Sequence, residues 1–200
     1  MANASGTRRF PRYGTIHSVR TQKRILVGAI AVLLIAGISA AVLVKKARDH
    51  AAALAHEPHV LRLADGTAAW FRGDTTIRPV KTYPTPPEIH VDGDAYIQLP
   101  AGTAPWTVRT RLLVLTVDGG SVFRLTAYSK QTGEQVEVVQ GRMEARKSYP
   151  SPYAVPDLLG PGEMVMINRT IDLMEKERTN AESVRQWGEG LKTEVAGQPN

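Results

Sequence analysis

The sequence predicts an all-β domain, sandwich- or solenoid-like with about ten short strands, carried on one N-terminal transmembrane helix. Three features point there. One is a run of twenty residues without a charge, the second a series of short β-branched runs broken by Asp-Gly and Gly-Gly, the third a basic tail with no acidic residue.

The uncharged run is Ile25 to Val44, ILVGAIAVLLIAGISAAVLV. As a helix rising about 1.5 Å per residue, it spans the roughly 30 Å hydrocarbon core of a bilayer. Lipid offers the backbone no hydrogen-bond partners, so a single crossing segment has to be helical. Leu26, Ile30, Leu33, Leu34 and Ile38 leave it no polar face, which argues against an amphipathic helix lying on the membrane surface. Ala36 with Ala40, and Gly37 with Ala41, have the small-residue spacing that permits close helix pairing.

Residues 1–24 contain Arg8, Arg9, Arg12, Arg20, Lys23 and Arg24 and no acid, so this tail carries the full +6 of the chain. The rest is formally neutral, and the basic pI of about 9.7 belongs to the flank of the span rather than to a nucleic-acid-binding patch. The asymmetry favours a cytoplasmic N-terminus even with Lys45, Lys46 and Arg48 on the far side. Ala53-Leu54-Ala55 fits a small-x-small cleavage pattern. The apolar run, however, exceeds a signal peptide's core, and Lys45-Lys46-Ala47-Arg48-Asp49 intervenes, so an uncleaved signal anchor is the better reading. With no cysteine, the chain has no disulfides, thiolate chemistry or Cys-ligated zinc.

Residues 45–58 read as a polar Ala/His-rich linker, 59–168 as the β domain and 169–200 as a C-terminal helical segment and tail. Within the domain, Val60 to Leu63 meets Asp65-Gly66, Glu88 to Val91 meets Asp92-Gly93, and Leu112 to Val117 meets Asp118-Gly119-Gly120. Each is expected to be a tight hairpin, because these dipeptides supply positive φ. Ala95, Ile97 and Leu99 alternate with Asp94, Tyr96 and Gln98, which marks a strand with one buried face. The strand pattern likewise puts Phe123 inside. Pro150, Pro152, Pro156 and Pro161 make 148–161 a loop. Thr179 and Glu182 form a capping box for a helix that buries Ala181, Val184 and Trp187 and stops at Gly188 and Gly190.

No catalytic, cofactor-binding or metal-binding residues emerge, and the chain does not read as an enzyme. His50, His56 and His59 lie close in sequence, but on a stalk that fixes no ligand geometry. Asp92 and Asp94 flank a turn glycine, where carboxylates cap or solvate rather than exchange protons. Gly119-Gly120 lacks the lysine and helix of a phosphate loop and reads as a hairpin. Trp70, Trp106 and Trp187 read as core anchors. Asn168-Arg169-Thr170 matches a glycosylation acceptor.

Six segments in order carry a family resemblance: Leu63-Ala64-Asp65-Gly66-Thr67, Ile89–Leu99 (IHVDGDAYIQL), Pro105–Thr110 (PWTVRT), Gly120–Tyr128 (GSVFRLTAY), Val136–Ala145 (VEVVQGRMEA) and Leu159–Val165 (LGPGEMV). Their order and spacing resemble the extracytoplasmic FecR domain, and Trp187 matches a tryptophan often found just after it. The resemblance implies an all-β periplasmic module on an inner-membrane protein. It also implies protein partners, an outer-membrane TonB-dependent transducer and an extracytoplasmic-function sigma factor, and a role as anti-sigma regulator in signalling across the membrane. The alternative is a membrane-anchored periplasmic adaptor or structural protein of the envelope with no sigma-factor role.

Overall fold

The structure, a computed structural model, describes residues 44–46, 57–80 and 87–198. The chain separates into two units, Met1–His50 and Ala51–Asn200. In the first, the described residues 44–46 are an exposed helical turn. The basic tail, nearly all of the apolar run, and Ala53-Leu54-Ala55 lie outside the described residues. Among those described, no helix is long and apolar enough to cross a membrane.

The second unit contains β1 (Pro58–Arg62), β2 (Ala68–Arg72), β3 (Thr76–Val80), β4 (Glu88–Gln98), β5 (Trp106–Arg109) and β6 (Leu113–Val117). It continues with β7 (Val122–Ala127), β8 (Gly133–Gln140), β9 (Met143–Lys147), β10 (Asp157–Leu159), β11 (Glu163–Asn168), β12 (Leu173–Arg178) and helix α1 (Ala181–Ala196). The strands form one sheet that doubles back on itself as two layers, and β4 belongs to both. Its first half pairs with β3 and, in parallel, with β5. Its second half pairs with β2 and β7. One layer therefore runs β3-β4-β5-β6-β9-β10 and the other β1-β2-β4-β7-β8-β11-β12.

The change of layer happens at Gly93. Its φ of +136° suits glycine, and a Cβ there would sit 2.4 Å from the Thr75 hydroxyl oxygen. That hydroxyl clasps the bend, donating to the Asp94 carbonyl (3.1 Å) and accepting from the Asp94 N–H (2.9 Å). Asp92-Gly93 is thus a mid-strand bend and not the expected hairpin. Asp118-Gly119-Gly120 is not a hairpin either: β6 pairs with β5 and β9, and β7 with β4 and β8, so this turn carries the chain between layers. Asp65-Gly66 does join a hairpin, β1–β2.

The inner faces of the layers form one core. Ile97, Phe123, Leu125, Val136 and Val165 from one side meet Val108, Leu113, Leu115 and Ala145 from the other. Phe123 is fully buried, as its strand pattern requires. A second cluster lies on the outer face of the β1–β12 layer, where Val184 and Leu191 of α1 cover Ala68, Trp70, Tyr96 and Val139. Tyr96, placed by alternation on the open face, is 1 % exposed for this reason.

Helix α1 begins one residue later than expected. Asn180 is its N-cap and accepts from the N–H groups of Glu182 and Ser183, while Thr179 donates its hydroxyl to Glu137 (2.7 Å). It also continues through Gly188 and Gly190 to Ala196. Strand β12 occupies part of the segment read as helical, and β10 lies inside the loop 148–161. Trp70 and Trp106 are buried, and the Trp106 indole N–H donates to Asp65 (3.0 Å). Trp187 is half-buried beneath the Arg124 guanidinium, 4.0 Å from the ring centroid.

Candidate interaction surface

The edge strands β10 and β12, one from each layer, lie near each other along one side of the unit. Lys176 of β12 bridges them, donating to the Leu158 carbonyl (2.8 Å) and pairing with Glu163 (3.2 Å). Strand β12 pairs with β11, and its other edge has no strand partner among the described residues. The turn between β11 and β12 is fastened to the segment after β9. Lys147, 1 % exposed at its side chain, donates to the carbonyl (2.8 Å) and carboxylate (2.8 Å) of Asp172 and to Ser151 (3.0 Å). The hydroxyls of Tyr149 (3.0 Å) and Ser151 (2.7 Å) donate to the same carboxylate. Asp172 stands in the left-handed region at φ 50°, a conformation that Asp tolerates better than most residues. The hydrogen bond from Lys147 foremost, then those from Ser151 and Tyr149, hold its carboxyl below the ordinary aspartate value.

Near this fastened edge the described residues leave apolar side chains uncovered. Among the described residues of the unit, the exposed large apolar side chains are Tyr153, Val155, Leu158, Met166, Ile171 and Leu173, all within residues 153–173, and Tyr153 is 75 % exposed. Scattered exposed apolar residues need no explanation, but several that share one groove mark a candidate contact surface. A groove of about 620 Å³ takes three of them, Met166, Ile171 and Leu173, into its lining together with Thr126, Gln135 and Glu175. An unpaired strand edge flanked by apolar side chains has the chemistry to accept an extended segment from a partner.

The candidates weighed from sequence lie elsewhere. His50 and His56 are outside the described residues, and His59 in β1 tilts against Phe71 with ring centroids 5.7 Å apart. Among the described residues no group of three His, Cys, Asp or Glu side chains could hold a metal ion. Asp92 accepts from the Ser129 N–H (2.8 Å), and Asp94 takes both prongs of Arg124 (3.0 and 2.7 Å), so the two carboxylates serve separate structural bonds. Asn168 accepts from the Thr170 N–H (2.9 Å) in the β11–β12 turn.

Glu134 is buried with no exposed side-chain surface, yet every bond to it is structural. The Thr110 hydroxyl donates to it, the Leu112 N–H reaches both oxygens (3.2 and 3.1 Å), and Arg111 stands 3.9 Å away. It ties β8 to the β5–β6 turn across the layers. The apolar edge itself escaped the sequence reading, although Tyr153, Val155 and Leu158 in a proline-rich loop were a signal for it.

No family model matches the chain, and no curated protein does. Its fold is similar to that in two crystal structures of a "putative anti-sigma factor" from Parabacteroides distasonis ATCC 8503. Each superposes with a TM-score of 0.57 at 24 % identity, over 67 % of this chain and 62 % of that one. The match thus spans less than two thirds of that protein's length, and the likeness is one of fold.

Proposed function

We propose that the chain is an inner-membrane regulator of the FecR type, with residues 1–24 cytoplasmic, 25–44 spanning the bilayer and the β unit in the periplasm. In this reading the edge formed by β10 and β12 binds a protein partner, a transducer from the outer membrane. The result passes through the span to an extracytoplasmic-function sigma factor. The observation that carries the reading is the apolar groove formed by the exposed Met166, Ile171 and Leu173 beside the strand edge of β12, which has no strand partner among the described residues. The fold likeness to a protein described as an anti-sigma factor supports it, as do the +6 tail and the six ordered segments that resemble the FecR domain. The tail's own apolar residues, Phe10, Tyr13, Ile16 and Val19, recur every three positions, so it has material for a short helix ordered on a sigma factor.

The test is capture of the full-length protein from membranes after cross-linking, with and without Leu173→Asp. Leu173 is 44 % exposed, so the change leaves the fold intact within about 0.5 kcal/mol. Wild type is expected to bring down a sigma factor and an outer-membrane receptor, and the variant to lose the receptor alone. Capture of neither, or receptor capture unchanged in the variant, overturns the reading. Alkaline phosphatase fused after Asn200 should be active and membrane-bound, and an inactive fusion reverses the orientation. If deleting residues 2–19 leaves sigma-dependent transcription untouched while the β unit is still exported, the adaptor alternative takes its place.

A further inference from the structure

The outer face of the β3–β10 layer carries a row of basic side chains set by strand register. Arg78 on β3 lies opposite His90 on β4, and His90 lies opposite Arg109 on β5. Beyond Val114 on β6 the row continues to Arg146 on β9. One carboxylate answers part of this charge: Glu88 accepts from the His90 ring at 2.6 Å and from Arg109 Nε at 3.1 Å.

At this end of the row the surface opens into a cleft of about 290 Å³, lined by Thr76, Arg78, His90, Arg109, Thr110 and Arg111. Asp92 also borders the cleft, with one oxygen taken by the Ser129 N–H. The arginines keep donors in reserve. Arg109 spends its Nε on Glu88, and Arg111 spends one Nη on the Gln131 carbonyl and turns its Nε toward Glu134 at 3.9 Å. The Arg78 guanidinium makes no hydrogen bond or ion pair among the described residues. Helix α1 packs on the other layer, so it does not cover this face.

We propose that this cleft binds a phosphate-type anion, gripped by the guanidinium groups of Arg78, Arg109 and Arg111. Guanidinium forks match phosphate oxygens in pairs, and a tetrahedral dianion has enough oxygens for three of them where a single carboxylate does not. The volume sits at the lower end of small-ligand sites, roughly 300 Å³, which suits a phosphomonoester or diphosphate group and is too small for a folded segment of a protein. The same chemistry is offered by a free phosphorylated solute and by a phospholipid headgroup.

The test uses the full-length protein in nanodiscs of phosphatidylcholine, titrated with pyrophosphate at constant ionic strength and followed by calorimetry. Saturable binding is expected, weakened about tenfold or more by Arg78→Gln and by Arg111→Gln. Arg146→Gln, on the same face but outside the cleft, should leave the affinity unchanged. Since the Arg78 guanidinium has no partner among the described residues, Arg78→Gln should melt at the wild-type temperature without ligand, which separates lost binding from lost folding. Absent binding, wild-type affinity in Arg78→Gln, or equal weakening by Arg146→Gln overturns the proposal in favour of diffuse charge. Repeating the titration in nanodiscs containing phosphatidylglycerol identifies the source. Lost pyrophosphate binding there means that the headgroup occupies the cleft, and undiminished binding means that the ligand is a soluble phosphate.

Discussion

Glu134 stands fully inside the protein, with donors around it but no close cation, since Arg111 approaches only to 3.9 Å. Burial, the dominant influence, pushes its carboxyl above the ordinary glutamate value of 4.5, against the hydrogen bonds from Thr110 and Leu112 and the charge of Arg111. The folded state therefore takes up a proton that the unfolded chain releases between those two values. Stability is greatest below the unfolded value and declines as pH rises through the folded one. Glu134→Gln keeps an acceptor for Leu112 and removes the buried charge. It should equal or exceed wild type in urea unfolding at pH 7.5, with a smaller advantage at pH 4. Glu134→Ala leaves the Leu112 N–H without an acceptor and should cost about 2–4 kcal/mol at either pH. Asp172 has the opposite sign. Its lowered carboxyl keeps the Lys147 clasp intact above the ordinary aspartate value and releases it as pH falls through the lower, folded one.

Helix α1 shows the same contrast between two glycines two positions apart. A Cβ on Gly188 would meet the Tyr96 ring at 2.5 Å, whereas one on Gly190 meets nothing within 4 Å. Gly190→Ala should stabilise by about 0.5–1 kcal/mol through helix propensity alone. Gly188→Ala gains the same propensity but overpacks the ring, at a cost of about 1–3 kcal/mol, so its net effect should be destabilising. Thermal unfolding of the two variants of the full-length protein in detergent measures both signs. A stabilising Gly188→Ala would mean that the helix does not seat on Tyr96. Local pattern made much of the fold legible: alternation put Phe123 and Ile97 inside, Asp65-Gly66 closed its hairpin, and a helix followed Thr179. It failed where distant residues decide. Tyr96 alternates as a solvent-facing residue but is covered by a helix from the far end of the chain. Asp92-Gly93 has the same turn chemistry as Asp65-Gly66, yet its neighbours are strands of two different layers. Strand β12 was hidden because only Met174 of its six residues is even half-buried. The apolar edge was read only as a loop, since proline spacing reports a missing ladder and says nothing of what the loop exposes.

At the scale of the whole unit, β4 is the element with partners on both sides in both layers. Removing it would leave β3 without its pairing partner and detach β5 from β2 and β7. The bend at Gly93 thus bears on cooperativity: the layers have no boundary along which they can open one at a time. Amide hydrogen exchange is expected to give residues 88–92 and 94–98 one common free energy, equal to that of global unfolding. The amides of β12, bonded on one side and at a free edge, should exchange far more easily by local fraying. Different values for the two halves of β4 would show the layers to be separate cooperative units. A rigid interior beside a fraying rim lets a visitor at the edge order β12 at small cost while the rest of the protein keeps its shape.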